Sequence, residues 1–253
     1  MHEQVDFESA CLLHHRVVGE QDAIVTFFTR RYGRLSLWVT GVLSNPGAIP
    51  LFKPLLISWR SKNDNARLQK VELDPAYPDV IKSSFCSEFL FTAFYINELC
   101  MKFLPTHADN PALYNDYLWM LDSLAKRVFI EPVLRIFERQ LLITTGHLSD
   151  LSVDALSGQT IQPELHYCLL KHPHYGLGIS EFHSFQVGEH PTAQRYGDVL
   201  ILGKHLIAFN NNDVSDPTTL SDVKRLMRHI ILYLMDGKPF KSRSLFKSYK
   251  LKQ

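Results

Sequence analysis

Cysteine is scarce and never closely paired. The four in 253 residues, Cys11, Cys86, Cys100 and Cys168, are widely spaced with no CxxC pair, which speaks against a disulfide framework and a zinc ribbon. They read as reduced core residues. Long apolar runs are missing too. The longest, Phe89 to Leu104, is broken by Asn97, Glu98 and Lys102, and a bilayer span needs roughly 18 to 20 uninterrupted apolar residues. An integral membrane protein is therefore not expected. The opening MHEQVDFESA carries three carboxylates and no basic run before an apolar core, the wrong order for a secretory signal, so a cytoplasmic location is expected. No P-loop, GxGxxG or GxSxG turn occurs, which leaves an enzyme reading little support. Histidine is plentiful at twelve, densest at His166, Cys168, His172, His174, His183 and His190. Those residues lack the two tight ligand pairs of a structural zinc site and read as scattered loop histidines. No metal or other cofactor is expected.

The charge balance lacks a sign: 27 Lys and Arg against 26 Asp and Glu. The charges are nevertheless segregated. Residues 10–70 hold nine basic residues against three acidic ones, 224–253 hold nine against Asp236 alone, and 71–223 hold nine against nineteen. Two basic ends around an acidic middle suggest a polyanion-binding surface, because clustered Lys and Arg raise the local potential whatever the net charge. The alternative is a set of solvated faces and a frayed basic tail.

With 45% hydrophobic residues the chain can fill one large domain or two modest ones. From about Ser9 to Asp74 it reads as five short strands separated by turns. Leu35, Leu37 and Val39 alternate with Arg34, Ser36, Trp38 and Thr40, a period of two that puts Trp38 on the polar face. CLLHHRVV and AIVTFFT flank one turn, and LLISWR and RLQKVEL flank another whose Asn and Asp favour reversal. The expected class is α+β, with an N-terminal antiparallel β-barrel of the OB type over residues 1–78 and a mostly helical domain over 79–253. After Pro75 and Pro78 the period becomes about 3.6: Phe85, Phe89, Ala93, Ile96, Cys100 and Phe103 trace a helix that Pro105 ends. Asn110-Pro111 caps a second helix, a third runs from Pro132 to near Gly146, and a last from about Thr218 to Asp236. Between about 157 and 214, DVLILG and HLIAFN look strand-like, so a small irregular β element is expected there. A basic tail, KPFKSRSLFKSYKLK, follows.

Single-stranded nucleic acid is held where cations follow the phosphates and aromatic rings accept unstacked bases. Arg30, Arg31 and Arg34 with Tyr32 and Trp38 supply both within nine residues, Lys53 lies between the two hairpins, and Arg60, Lys62, Arg67 and Lys70 around the second hairpin would extend the path. The alternative for Trp38 is packing beneath a loop. Lys224, Arg225, Arg228, Lys238, Lys241 and Arg243 could form a second cationic surface, bringing two strands together by neutralising their phosphates.

Four strings go beyond composition: FTRRYGRLSLWVTGV at 27–42, GAIPLFKPLLISW at 47–59, YINEL at 95–99 and DGKPFKSRSLF at 236–246. Together they resemble the bacterial RecO family of recombination mediators, in the right order over about residues 8–248. The resemblance implies an OB-fold followed by helices, binding of single- and double-stranded DNA, annealing of complementary strands, and work with RecR in loading RecA onto DNA covered by single-strand-binding protein. It implies a cytoplasmic, nucleoid-associated protein that is not an enzyme. It also implies a site for the acidic tail of single-strand-binding protein on EPVLRIFERQLL, at Arg135, Phe137, Arg139 and Leu142; alternatively the two arginines pair with Glu131 and Glu138. Two departures stand out. The four-cysteine zinc motif of many members is reduced to Cys168, and the usually basic segment after VTG is VLSNP, without Lys or Arg. A protein-interaction adaptor with weak direct DNA binding is the competing reading. Carboxylates near the basic residues are too sparse to argue for a metal-dependent nuclease.

Overall fold

The computed structural model describes residues 2–62, 65–82, 87–172, 176–182 and 194–242. The expected α+β organisation is present: a closed five-stranded barrel, then helices and a small sheet. The barrel strands are β1 (His2–Val18), β2 (Asp22–Thr29), β3 (Gly33–Thr40), β4 (Pro54–Lys62) and β5 (Asn65–Leu73). They close in the order β1-β2-β3-β5-β4, the last pairing back on β1. Every pairing is antiparallel except β3 with β5, which meet in parallel register at Trp38 and Arg67. Alternation explains the interior. Leu35, Leu37 and Val39 of β3, Leu55, Ile57 and Trp59 of β4, and Leu68 of β5 fill the barrel with Val25 and Phe27 of β2. Tyr32 packs edge-on against Trp59, ring centroids 5.0 Å apart, so this ring belongs to the core margin and not to a stacking surface.

The outer side of the barrel is unequal. Along β2 it is covered, and Phe28 meets Tyr114 and Tyr117 edge-on at 5.3 and 5.7 Å. These rings belong to α3 (Pro111–Ala125), whose N-cap Asn110 accepts the amide of Leu113 at 3.0 Å as its Asn-Pro sequence requires. Beside it α2 (Ser87–Phe103) buries Asn97, whose amide donates to the carbonyls of Leu12 and Leu13 at 3.1 Å while its oxygen accepts from Tyr117 at 2.6 Å. At Gly33, with φ +60°, a Cβ would sit 2.3 Å from the carbonyl oxygen of Ala108, so only glycine permits that approach. Along β5 the outer side is open.

The YINEL and GKPFKS strings meet. Tyr95 packs edge-on against Phe240 at 5.4 Å, and the Glu98 carboxylate accepts the amides of Lys241 and Ser242 at 3.0 and 2.8 Å. The first compact unit accordingly comprises Met1–Val128 with the described residues from Phe240, and the second is Phe129–Pro239. The last barrel strand ends at Leu73, and helices α2 and α3 lie with the barrel in the first unit.

In the second unit α4 (Ile130–Thr144) precedes a three-stranded sheet, ordered β7-β6-β8, of β6 (His166–His172), β7 (Gly176–Glu181) and β8 (Gln194–Leu202). The expected small β element is therefore present, with one correction. HLIAFN is not a strand but most of helix α5 (Gly203–Asn210), with His205, Leu206 and Phe209 buried at helical spacing. Gly203 permits the entry, since a Cβ there would lie 1.9 Å from the Gln162 carbonyl oxygen. The last helix, α6 (Pro217–Leu234), starts at an Asp216 cap that accepts the Thr219 amide at 2.8 Å. A short α1 (Pro78–Lys82) joins the barrel to α2. No helix among the described residues is long and apolar enough to cross a membrane.

Candidate nucleic-acid interface

Register across the open side of the barrel assembles a row from four strands. Trp38 of β3 lies beside Arg67 of β5, Arg67 faces Arg60 of β4, and Arg60 faces Gln4 of β1. Registered neighbours point to the same face of a sheet, and all four alternate with core residues, so the row faces outward. Three steps between strands make it about 14 Å long. Arg60 and Arg67 are exposed, and Trp38 is half-buried. Arg60 keeps one tie, its Nε donating to Gln4 at 3.1 Å. A second row runs from Phe7 past Ser58 to Lys70, whose ammonium lies 5.3 Å from the Phe7 ring centroid and 2.7 Å from Glu72. Lys62 ends β4 at the hairpin tip, and its side chain lies outside the described residues.

The other cations expected to line this path are placed differently. Arg34 turns to the C-terminus of α2, donating through Nε to Leu104 O and through Nη1 to Met101 O, both at 3.0 Å. Those carbonyls have no partner within the helix, and a guanidinium is well suited to them. Lys53 likewise donates to Val80 O at 2.8 Å, and partial burial lowers its pKa. Arg31 is exposed, but its Nε donates to the buried Glu8 carboxylate at 2.6 Å, which also accepts the Arg31 amide at 2.7 Å. That hydrogen bond raises the Arg31 pKa, and the pair is locally neutral. Among the described residues, Arg30 is the one of the three arginines that is exposed and has no carboxylate partner. Arg34 and Lys53 are thus engaged as donors to helix carbonyls instead of standing free beside the row. The cation-poor loop after β3 forms a short 3₁₀ turn, Gly41–Ser44, with Val42 79% exposed.

The residues expected to form a peptide site on α4 are buried or engaged within the second unit. Phe137 and Leu142 are fully buried, and Arg139 is 3% exposed. Its guanidinium lies over the Phe209 ring, donates to the Phe209 carbonyl oxygen, and donates to Asn212 Oδ1 at 2.7 Å, closing the end of α5. Burial lowers its pKa. Arg135 retains 12% exposure and pairs with the buried Glu138 at 2.8 Å, the ion pair that the alternative reading named. Glu131 pairs instead with Lys224 at 2.5 Å. These residues do not form an open cationic edge.

Of the second cationic surface, Arg225 is tied to Asp222 and Leu200 O at 3.0 and 2.7 Å, while Arg228 and Lys238 are exposed in the second unit. Lys241 is exposed in the barrel unit, where its charge, with those of His15 and Arg16, adds to burial in lowering the His14 pKa. Arg243 lies outside the described residues, as do His174, His183 and His190. Among the described residues no group of three or more His, Cys, Asp or Glu could hold a metal ion. A cavity of about 390 Å³ beside α1 and α3, lined by Tyr77, Asp79, Leu118, Trp119 and Asp122, has acidic walls unsuited to a polyanion.

Three residues escaped the sequence reading: Gln4, which ends the row, Phe7, set outward by an irregularity in β1, and Glu8, whose buried charge claims Arg31. An aromatic followed by a carboxylate at the start of a strand gives no signal of either role.

The fold and the row define an OB-like barrel protein with a helical second part. The chain belongs to the RecO family: residues 5–76 match the model described as Recombination protein O N terminal, and residues 88–244 the one described as Recombination protein O C terminal. Curated relatives named "DNA repair protein RecO" agree along almost the whole length. The Methylococcus capsulatus protein is 31% identical over 249 residues, 97% of this chain and 94% of its own. Those of Glaesserella parasuis and Mannheimia succiniciproducens are each 30% identical, covering 94% and 93% of this chain and 93% and 96% of theirs.

Proposed function

We propose that the protein is a recombination mediator in DNA repair that binds single- and double-stranded DNA and anneals complementary strands. With RecR it helps to load RecA onto DNA covered by single-strand-binding protein. The observation that carries the DNA-binding part is the outward row of Trp38, Arg67, Arg60 and Gln4 across four strands. It offers one ring for a base and two guanidiniums for phosphates on the barrel side that helices leave open. Annealing needs no covalent step: neutralising phosphates on two strands lowers their repulsion, and the duplex releases itself by burying its bases. RecR and the tail of single-strand-binding protein enter through the family, without residues assigned to them. Nucleoid association follows from DNA affinity.

The test is anisotropy of labelled single-stranded DNA across a salt series, with an Arg60→Ala/Arg67→Ala variant beside the native chain. Native binding should weaken steeply with salt, and the variant should lose about 1.4 from the logarithmic slope, the share of two phosphates. An unchanged slope would move the path off this face. Weak, salt-insensitive binding by the native chain would favour the adaptor reading, which the inward turn of Arg34, Lys53 and Arg139 supports.

A further inference from the structure

Among the described residues two phenylalanines occupy the left-handed region of the backbone, Phe52 at φ +57° and Phe7 at φ +54°, a conformation that bulky side chains adopt at a cost. For Phe52 the return is visible: the residue is 3% exposed and packs edge-on against Phe94 at 5.1 Å. Phe7 has no such return. Its side chain is 56% exposed, so the backbone is strained to hold an apolar ring in water.

The surroundings fix that conformation. The β1–β4 register shifts between Val5 and Glu8, and a bulge of this kind re-aims a side chain. The Phe7 amide donates to the buried Ser58 hydroxyl at 3.1 Å. Glu8 is held inward by Arg31 at 2.6 Å, which forces its neighbour outward. The Lys70 ammonium stands 5.3 Å from the ring centroid, and Ser58, which anchors the Phe7 amide, is two residues from Arg60 along β4. Asp6 and Glu72 are the nearby carboxylates, and each is engaged, with Gln4 at 2.9 Å and Lys70 at 2.7 Å. Strain maintained at an exposed aromatic beside cations is the signature of a residue held ready for a ligand.

We infer that Phe7 is a base-stacking platform for single-stranded nucleic acid. An unpaired base would lie on its ring while the flanking phosphates reach Lys70 and Arg60. A duplex, whose bases are already stacked, gains nothing from the ring. The inference rests on the DNA-binding reading given above, and it adds a requirement that reading does not make: selectivity for unstacked bases at this one position.

Three labelled ligands of equal length separate the two: oligo-dT, an abasic strand with the same phosphates, and a duplex. Phe7→Ala should weaken oligo-dT binding by roughly tenfold, the effect of losing one stacked base. Abasic and duplex affinities and the salt slope should stay unchanged, and Phe7→Trp should restore oligo-dT binding. Phe7→Gly should lose the same affinity with a thermal midpoint at or above that of the native chain, because glycine relieves the backbone. Equal losses on all three ligands, or a lowered midpoint for Phe7→Gly, would make Phe7 a structural residue and overturn the inference. Undiminished oligo-dT binding by Phe7→Ala would also overturn it, pointing instead to a protein partner for this ring. Failure of the native chain to bind even the abasic strand in a salt-dependent way would mark the failure of the DNA-binding reading itself.

Discussion

Arg139 and Arg67 are both arginines on regular elements with other cations nearby in sequence, yet their surroundings are opposite. Arg139 on α4 is 3% exposed and donates to a carbonyl and a side-chain amide some seventy residues away. Arg67 on β5 is exposed, in register with Arg60 and Trp38. The difference lies in what each element leaves unsatisfied nearby. Helix ends present carbonyls with acceptor capacity to spare, and arginines close to such ends are drawn to them. The outer face of a barrel strand has no orphan carbonyls, because the ladder uses them, so its cations remain available to a ligand. Arg34 obeys the same rule: it sits on a strand, but the end of α2 lies beside it.

The largest effect that would sharpen this contrast is expected at Arg139. Arg139→Met takes a buried charged donor away from Asn212 Oδ1 and from the Phe209 carbonyl, which keeps its bond from the Asn212 amide, and should destabilise the second unit by about 3 kcal/mol. The chain supplies its own reporter. Trp38, Trp59 and Trp119 all belong to the first unit, so tryptophan fluorescence follows that unit while far-ultraviolet circular dichroism follows both. In urea the variant should split the two transitions, with the dichroism transition beginning earlier and the fluorescence midpoint unmoved. Coincident transitions shifted together would mean the units do not unfold separately.

Next in size is Asn97. Asn97→Ala removes two hydrogen bonds to β1 and one from Tyr117 and should cost about 2 kcal/mol in the fluorescence transition. Arg34→Ala should cost about 1 kcal/mol there by exposing the end of α2, with no change in the salt slope of DNA binding. Arg60→Ala should do the reverse, reducing the slope and leaving the transition in place. A reduced slope for Arg34→Ala would break the distinction between the two kinds of cation.

These assignments mark where reading by sequence stops. The five strands were legible from alternation, and α3 from its Asn-Pro cap, because both signals are local. HLIAFN misled because Leu, Ile and Phe suit a strand as well as a helix in so short a run, and a close approach to Gln162 fixes the choice. The exposure of Trp38, left open by the alternation, came out intermediate. The arginines could not be sorted, because the acceptor of each guanidinium lies far away in the chain: 70 residues separate Arg34 from Leu104 and Arg139 from Phe209. Phe7 was invisible for another reason. A strand read with a strict period of two has no place for the bulge that turns it outward.

The smallest expected effect concerns protons at His14, an exposed residue of β1 that is only partly desolvated. His14 titrates below its ordinary value of 6.5 because burial disfavours its charged form, with His15, Arg16 and Lys241 adding repulsion. In the window from 6.5 down to that lowered value, the unfolded chain binds the proton more readily than the folded one. Stability should therefore be complete above pH 6.5 and decline as pH falls through the window. The chain holds eleven further histidines, so the informative quantity is a difference. The loss of stability between pH 7.5 and 5.5 in the fluorescence transition should be smaller in His14→Gln than in the native chain. Lys241→Ala should reduce it by a lesser amount, having removed one of the repelling charges. Buried Cys11, whose thiol is pushed up to about 12, should stay unmodified by thiol reagents throughout, which checks that the barrel remains closed during the measurement. An equal loss in His14→Gln would mean that solvent screens the exposed patch formed by His14, Arg16 and Lys241 completely, as it does the outward cations of β4 and β5.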